Sequence, residues 1–120
     1  PAESHLKGQQ TIADYDAVAE GFDVGNANHD ISQNIEALLA PLLRRQQQPS
    51  PLDILDLGCA GGRDIVDFVR RGHRPVGLEG SPAFCALARE KVAKLKPREI
   101  EVWQQDLCSD AFSLPATRFD

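Results

Sequence analysis

The sequence is short of cysteine, has no basic excess and contains no long apolar run, and each shortage removes a class of function. Its three cysteines, Cys59, Cys85 and Cys108, lie far apart and show neither CxxC nor His-x-Cys spacing. The usual zinc ligand sets are therefore excluded, and no metal is expected. An odd cysteine count without a secretion signal reads as reduced thiols in a cytoplasmic protein. No apolar stretch reaches the roughly 20 residues that a membrane-spanning helix needs, so no membrane association is expected. Lysine and arginine number 13 against 18 acids, a formal net charge of -5, whereas a nucleic-acid binder is expected to carry a basic footprint. Arg70, Arg71 and Arg74 lie close together, but they read as a solvated helix end. There are no internal repeats, and the only low-complexity tract is Gln46 to Gln48.

What is present is an ordinary globular composition, 42% hydrophobic and 26% charged, over 120 residues. That length fits a single domain over 1–120. The polar residues 1–10 hold no apolar signal core and are expected to be disordered. Thr11 to Phe22 reads as a helix, with Thr11 and Asp14 at capping-box spacing and an apolar stripe of Ile12, Tyr15, Val18 and Ala19. Gly21 and Gly25 mark its end. A second helix opens at Asp30, with Gln33 at the capping-box position. Its buried face is Ile31, Ile35, Leu38, Leu39 and Leu42, and Pro41 is expected to kink or shorten it. Arg44 to Pro51 reads as a connector.

The pattern then changes to short apolar runs alternating with helices. Leu52 to Leu57, ending at Gly58, reads as a buried parallel strand. Asp64 to Arg71 is helical, turns Ile65, Val66, Phe68 and Val69 inward and stops at Gly72. Pro75 to Leu78 is a second strand. Ser81 caps a helix whose first position is Pro82 and whose apolar face is Phe84, Ala88, Val92 and Leu95. Ile100 to Trp103 is a third strand, Asp110 to Thr117 a loop, and Phe119 with Asp120 the start of a fourth strand. This alternation argues for a parallel sheet with right-handed crossovers. With the later strands missing, the first strand keeps an unpaired outer edge, a surface for self-association.

The chemistry concentrates at three successive strand ends. After the first strand, Gly58, Ala60, Gly61 and Gly62 let the backbone turn sharply and approach a ligand closely. The helix that follows offers unpaired N–H groups, so the turn suits a nucleotide phosphate or an amino-acid carboxylate. At the end of the second strand, Glu79 is placed to accept from both hydroxyls of a ribose. At the end of the third, Asp106 is placed to accept from an adenine amino group. In an open parallel sheet all three lie on the edge where ligands bind.

These segments resemble a known family, the class I S-adenosylmethionine-dependent methyltransferases. Asp53 to Asp64 (DILDLGCAGGRD) is similar to its glycine-rich first motif. Val76 to Pro82 (VGLEGSP) is similar to the strand-end acid followed by a capping serine, and Val102 to Leu107 (VWQQDL) to the strand ending in an adenine-contacting acid. The resemblance implies an α/β, Rossmann-like doubly wound parallel sheet, of which this chain is the N-terminal half: two leading helices, then three strands alternating with helices. It implies S-adenosylmethionine as cofactor, S-adenosylhomocysteine as product, and methyl transfer to a small-molecule acceptor. Carried over, Gly58 and Ala60, with Cys59 and Gly62 in the same turn, border the methionine part. Asp56 supports its amino group, Glu79 with Gly80 and Ser81 holds the ribose, and Asp106 with Leu107 borders the adenine. The stretch Tyr15 to Asp23 resembles the lid helix of the small-molecule enzymes, with Tyr15 closing over the cofactor. No catalytic base is named by any residue present.

Two departures stand out. Ala60 replaces a more usual glycine, acceptable if its φ is negative. The chain also stops where the fourth strand begins, before the family's acceptor-binding segments, so a cofactor-binding unit without activity of its own stays open. A dinucleotide oxidoreductase is disfavoured, because that fingerprint needs a small residue where Arg63 stands. Cys59 has no base beside it to act as a nucleophile. His5 and His29 read as surface residues, His73 as a helix-end residue, and Trp103 as core or as a neighbour of the adenine pocket.

Overall fold

The computed structural model describes residues 2–46, 50–95, 99–115 and 118–120. Two helices, α1 (Ala2–Asn26) and α2 (Ser32–Arg45), precede β1 (Asp53–Leu57), α3 (Arg63–Arg70), β2 (Arg74–Glu79), α4 (Pro82–Ala93) and β3 (Val102–Gln104). The strands form one parallel sheet in the order β1-β2-β3. This is the α/β, Rossmann-like half-sheet expected, with each strand pair joined through a helix. Register pairs Leu57 with Leu78 and Glu79 with Gln104. The C-terminal tips of all three strands therefore reach the same edge of the sheet.

Two apolar clusters hold these layers. Cys59, Ile65, Cys85, Ala88, Val92 and Val102 join the sheet to α3 and α4. Ile35, Leu39, Leu52 and Phe68 seat α2 against α3 and the entry to β1. Phe84, Ile65 and Leu78 are fully buried, each worth about 1.5–3 kcal/mol by transfer from water. The α4 start is built as its residues suggest: Pro82 is the first helical residue and Ser81 Oγ accepts from Phe84 N at 3.2 Å. His73 is a buried structural residue, beyond its reading as a helix end. Its Nδ1 accepts from Leu52 N at 3.1 Å, tying the β1 entry to the turn after α3.

The two leading helices depart most from expectation. α1 begins at Ala2, where disorder through residue 10 was expected, and runs through Gly21 and Gly25 to Asn26. One tertiary contact and bonds within the helix itself override the weak local signals. Gly8 lies against Cys108, Glu3 pairs with Lys7, and Thr11, far from capping the helix, bonds back to Lys7 O at 2.9 Å. α2 starts at Ser32 without a side-chain cap, because Asp30 Oδ1 accepts from Ser32 N instead of a later amide. Pro41 sits inside α2 without ending it, and Leu38, expected to be buried, is exposed. The three arginines form no common patch: Arg71 pairs with Asp67 and Glu36, and Arg74 with Asp53. Of the expected connector and loop, residues 47–49 and 116–117 lie outside the described residues, as does Pro1. Phe119 and Asp120 are not a strand, but Asp120 N donates to Asp53 O at 2.8 Å on the outer edge of β1.

Candidate functional site

A cleft of about 400 Å³ opens at the strand tips, with α1 along one side. It gathers Tyr15, Gly58, Ala60, Glu79, Gly80, Asp106 and Leu107 from the sequence-based set. Cys59, Gly62, Ser81 and Asp56 do not line it, each for a definable reason.

The turn after β1 is wound by three left-handed residues, Gly58 (φ +69), Ala60 (φ +47) and Gly62 (φ +87). The negative φ that would have made alanine easy at position 60 is not what the chain adopts, and an L-residue there is strained by about 1–2 kcal/mol. Gly62 is buried against α4, where a Cβ would stand 3.0 Å from that of Ala88, so its role is close packing. Cys59 points into the core, and its N–H donates to Leu78 O. Burial, then the charges of Asp56 and Glu79, push its thiol up to about 12, so it is inert.

Four amides of the turn are already bonded. Gly58 N and Cys59 N both donate to Leu78 O, Gly62 N to Cys59 O, and Ala60 N to Glu79 Oε1 at 3.0 Å. The Asp23 carboxylate of α1 fills the space beside Gly61, held by the Lys91 ammonium, which also donates to Gly61 O at 2.9 Å.

Glu79 joins two sides of the cleft. Its Oε1 takes Ala60 N and its Oε2 takes Ser81 N at 2.9 Å. A carboxylate offers about four acceptor positions, so each oxygen keeps one for a ligand. Asp106 Oδ1 accepts from Cys108 N at 2.8 Å, while Oδ2 stands 3.6 Å from His5 Nδ1, too far for a hydrogen bond. Ser81 is buried with its hydroxyl committed: Oγ donates to Asp16 Oδ1 at 2.7 Å. Ala83 N donates to the same oxygen at 2.7 Å. These two bonds hold the Asp16 carboxyl below its usual range, the backbone bond foremost.

Asp56 borders a separate cavity of about 260 Å³ with Asn34 of α2 and Arg63 and Asp64 of α3. Its Oδ2 is buried and, among the described residues, has no hydrogen-bond partner. Burial, then Asp64 and Glu79, push its carboxyl up to about 6, against a smaller opposing pull from Arg63.

Sequence reasoning missed Gly8, Thr11, Ile12, Phe22, Phe84, Gln105 and Cys108 as lining residues. The α1 members recur at spacings of three, four and seven, one helical face, and that periodicity was the available signal. Trp103 lies outside the lining, in an edge-on contact with Phe119 and with Arg118 over its ring.

A family model described as "Methyltransferase domain" matches residues 54–120, more than half of the chain. The chain belongs to this methyltransferase domain family. Among solved structures, the sugar N-methyltransferase KedS8 from Streptoalloteichus sp. ATCC 53650 is similar with a TM-score of 0.57 and 23% identity, over 72% of this chain and 32% of KedS8. WbdD is similar with a TM-score of 0.55 and 22% identity, over 64% of this chain and 18% of WbdD. Both likenesses establish the fold of this methyltransferase domain, and the chain spans under a third of the length of either protein. No helix among the described residues is long and apolar enough to cross a membrane.

Proposed function

We propose that this methyltransferase-family chain is one cofactor-binding domain that holds S-adenosylmethionine in the cleft beside α1, and that the protein passes the methyl group to a small-molecule acceptor in the cytoplasm. The observation that carries the reading is the charge of the cleft. Glu79 and Asp106 face it, and its described lining residues include no lysine, arginine or histidine. Phosphates are met by cations, helix N-termini or free backbone N–H groups. The N–H groups of Gly58, Cys59, Ala60 and Gly62 are already committed. Pyrophosphate cofactors therefore fit poorly, whereas a ligand with a positive centre fits well.

In this reading the remaining lone pairs of Glu79 accept from both ribose hydroxyls, beside Gly80. Asp106 Oδ2 accepts from the adenine amino group, with Leu107 against the ring. Gly58 and Ala60 leave room for the methionine part, and Tyr15 closes over it. The Asp56 carboxylate, whose Oδ2 has no hydrogen-bond partner among the described residues, favours positive charge behind the turn without touching the ligand. When bound, the cofactor supplies a methyl group on a good leaving group; the protein's residues hold it, orient it and exclude water.

A second reading, a cofactor-binding unit inactive by itself, is favoured by the outer edge of β1, which among the described residues is engaged only at Asp53 by Asp120. Calorimetry tests the cofactor. S-adenosylhomocysteine should bind one per chain and NADH should not bind. Glu79→Gln should weaken binding by about 10- to 100-fold through the loss of charged acceptors, with thermal unfolding confirming that the variant is folded. Binding of NADH, or unaltered affinity in Glu79→Gln, contradicts the assignment. A methyl-transfer assay on the chain alone separates the two readings.

A further inference from the structure

We infer that His5, near the start of α1, is a positioning residue for the base-binding acid Asp106, so that the amino end of α1 takes part in telling adenine from other purines. This inference rests on the cofactor reading above. His5 is not among the described lining residues of the cleft, but it faces one that is. Its Nδ1 stands 3.6 Å from Asp106 Oδ2. That Nδ1 is buried and, among the described residues, has no hydrogen-bond partner.

The ring's other nitrogen decides which tautomer faces the acid. Gln9, one turn along α1, has its amide nitrogen 3.0 Å from His5 Nε2. An amide –NH2 can only donate, so Nε2 accepts and the ring proton sits on Nδ1. The reverse arrangement would point a bare lone pair at a carboxylate. A donor therefore faces Asp106 Oδ2 just beyond hydrogen-bond reach. Oδ1 is fixed by Cys108 N at 2.8 Å. With one oxygen tied and the other faced by an N–H, the carboxylate has a preferred plane, and Oδ2 keeps an acceptor position for an amino group. A purine with a ring carbonyl in place of that amino group meets an acceptor with an acceptor. The rejection is stronger the less the carboxylate can turn away.

Gly8 is what lets α1 come this close. A Cβ there would lie 2.7 Å from Cys108 Cβ, 2.9 Å from its Sγ and 3.6 Å from Asp106 Oδ1. Glycine within a helix costs about 1 kcal/mol relative to alanine, and here it admits the turn that carries Asp106. His5 lies three residues earlier, on the same helix face. The nearby charges of α1, Glu3 and Lys7, pair with each other. The plainer account is that His5 and Gly8 only dock α1. Docking alone does not call for a buried nitrogen left short of a partner, which costs stability, and an apolar side chain would serve it better.

Calorimetry on the full chain tests the idea with two probes, S-adenosylhomocysteine and S-inosylhomocysteine, which carries a ring carbonyl in place of the amino group. The native chain should prefer the adenosyl compound by about tenfold or more. His5→Leu, which removes the donor, should bring that ratio down several-fold. His5→Asn, whose amide nitrogen takes the place of Nδ1, should preserve most of it. Gly8→Ala should lower the ratio as well while favouring the helix itself, and serves if His5→Leu fails to fold. A His5→Leu variant that binds both probes more weakly at an unchanged ratio, or a His5→Asn variant that loses as much discrimination as leucine, overturns the inference and leaves the cofactor reading intact. A native chain without preference overturns the inference together with the Asp106 assignment, and one that binds neither probe overturns the cofactor reading too.

Discussion

Asp16 on α1 and Ser81 at the head of α4 are joined by a 2.7 Å hydrogen bond, and the same Asp16 oxygen accepts Ala83 N. One carboxylate from the leading helix thus satisfies the start of another helix 65 residues away in sequence. The negative charge also complements the positive end of α4. α1 is therefore docked by chemistry at the cleft wall and not only by its apolar stripe, which is thin: Ala19 is its single buried residue.

Asp16→Ala should release α1 without unfolding the sheet. Hydrogen exchange should speed up across α1, while β1 and β2 keep their protection, since stability is distributed in local units. Affinity for S-adenosylhomocysteine should fall with it. Because the folded-state carboxyl titrates below its ordinary range, this docking is complete at neutral pH. It is lost only as acid protonates Asp16 below that range. Uniform exchange across the whole chain would mean that α1 is integral to the core.

The sheet, its order of elements and the start of α4 were legible because they rest on local pattern. β1 starts one residue later than expected, β2 is longer by one residue at each end, and β3 is shifted toward Gln104. Ser81-Pro82 is a local cap signal, and its local part is met where Ser81 Oγ accepts from Phe84 N. The site was half legible: Glu79, Asp106 and the turn come together, but long-range partners have no sequence signature. Nothing local says that Asp16 reaches Ser81, that Asp23 and Lys91 close over Gly61, or that Phe22 meets Phe84. Nor does sequence reveal that Ala60 takes a positive φ, since alanine there suggests the opposite.

The turn makes opposite predictions at Gly58 and Ala60. At Gly58 (φ +69) a Cβ would meet nothing within 4 Å, so Gly58→Ala isolates backbone strain and should destabilise by about 1–2 kcal/mol. At Ala60 (φ +47) the strain is already present. Ala60→Gly relieves it but adds unfolded-state entropy, leaving a net stabilisation of up to about 1 kcal/mol. Urea unfolding of both variants checks the pair. A loss of stability in Ala60→Gly would show that its methyl packs usefully in the cleft wall.

The outer edge of β1 should govern the solution behaviour of the 120-residue chain. β2 occupies one side of β1, and among the described residues only Asp120 reaches the other, through Asp53. Unpaired strand edges template pairing with further chains. Sedimentation should therefore show concentration-dependent self-association. Leu57→Lys, at an exposed position on β1, should reduce it by placing charge on the edge. A monomer at all concentrations would show that the Asp120 contact suffices to close the edge.

Asp56 makes the fold sensitive to pH in an unusual direction. Its carboxyl is raised from 3.8 to about 6 by burial, Asp64 and Glu79. Below about pH 4 it is protonated in both folded and unfolded chains and contributes nothing. Between about 4 and 6 only the folded chain keeps the proton, so stability falls as pH rises, by on the order of 3 kcal/mol in total. Above that window the full penalty persists. His73, whose ring is held below its ordinary value by burial and by Arg71, contributes the opposite slope: the bond it accepts from Leu52 N is lost as acid protonates it. The comparison that isolates Asp56 is therefore Asp56→Asn against native at matched pH. The variant should gain stability at pH 7, gain little at pH 4, and lose affinity for a ligand with a positive centre. In the native chain, binding such a ligand near pH 6 should release a proton from Asp56, visible as a binding enthalpy that changes with the ionisation enthalpy of the buffer. A stability difference that is flat from pH 4 to 7 would mean that the buried oxygen is already satisfied and that Asp56 serves the fold rather than the ligand.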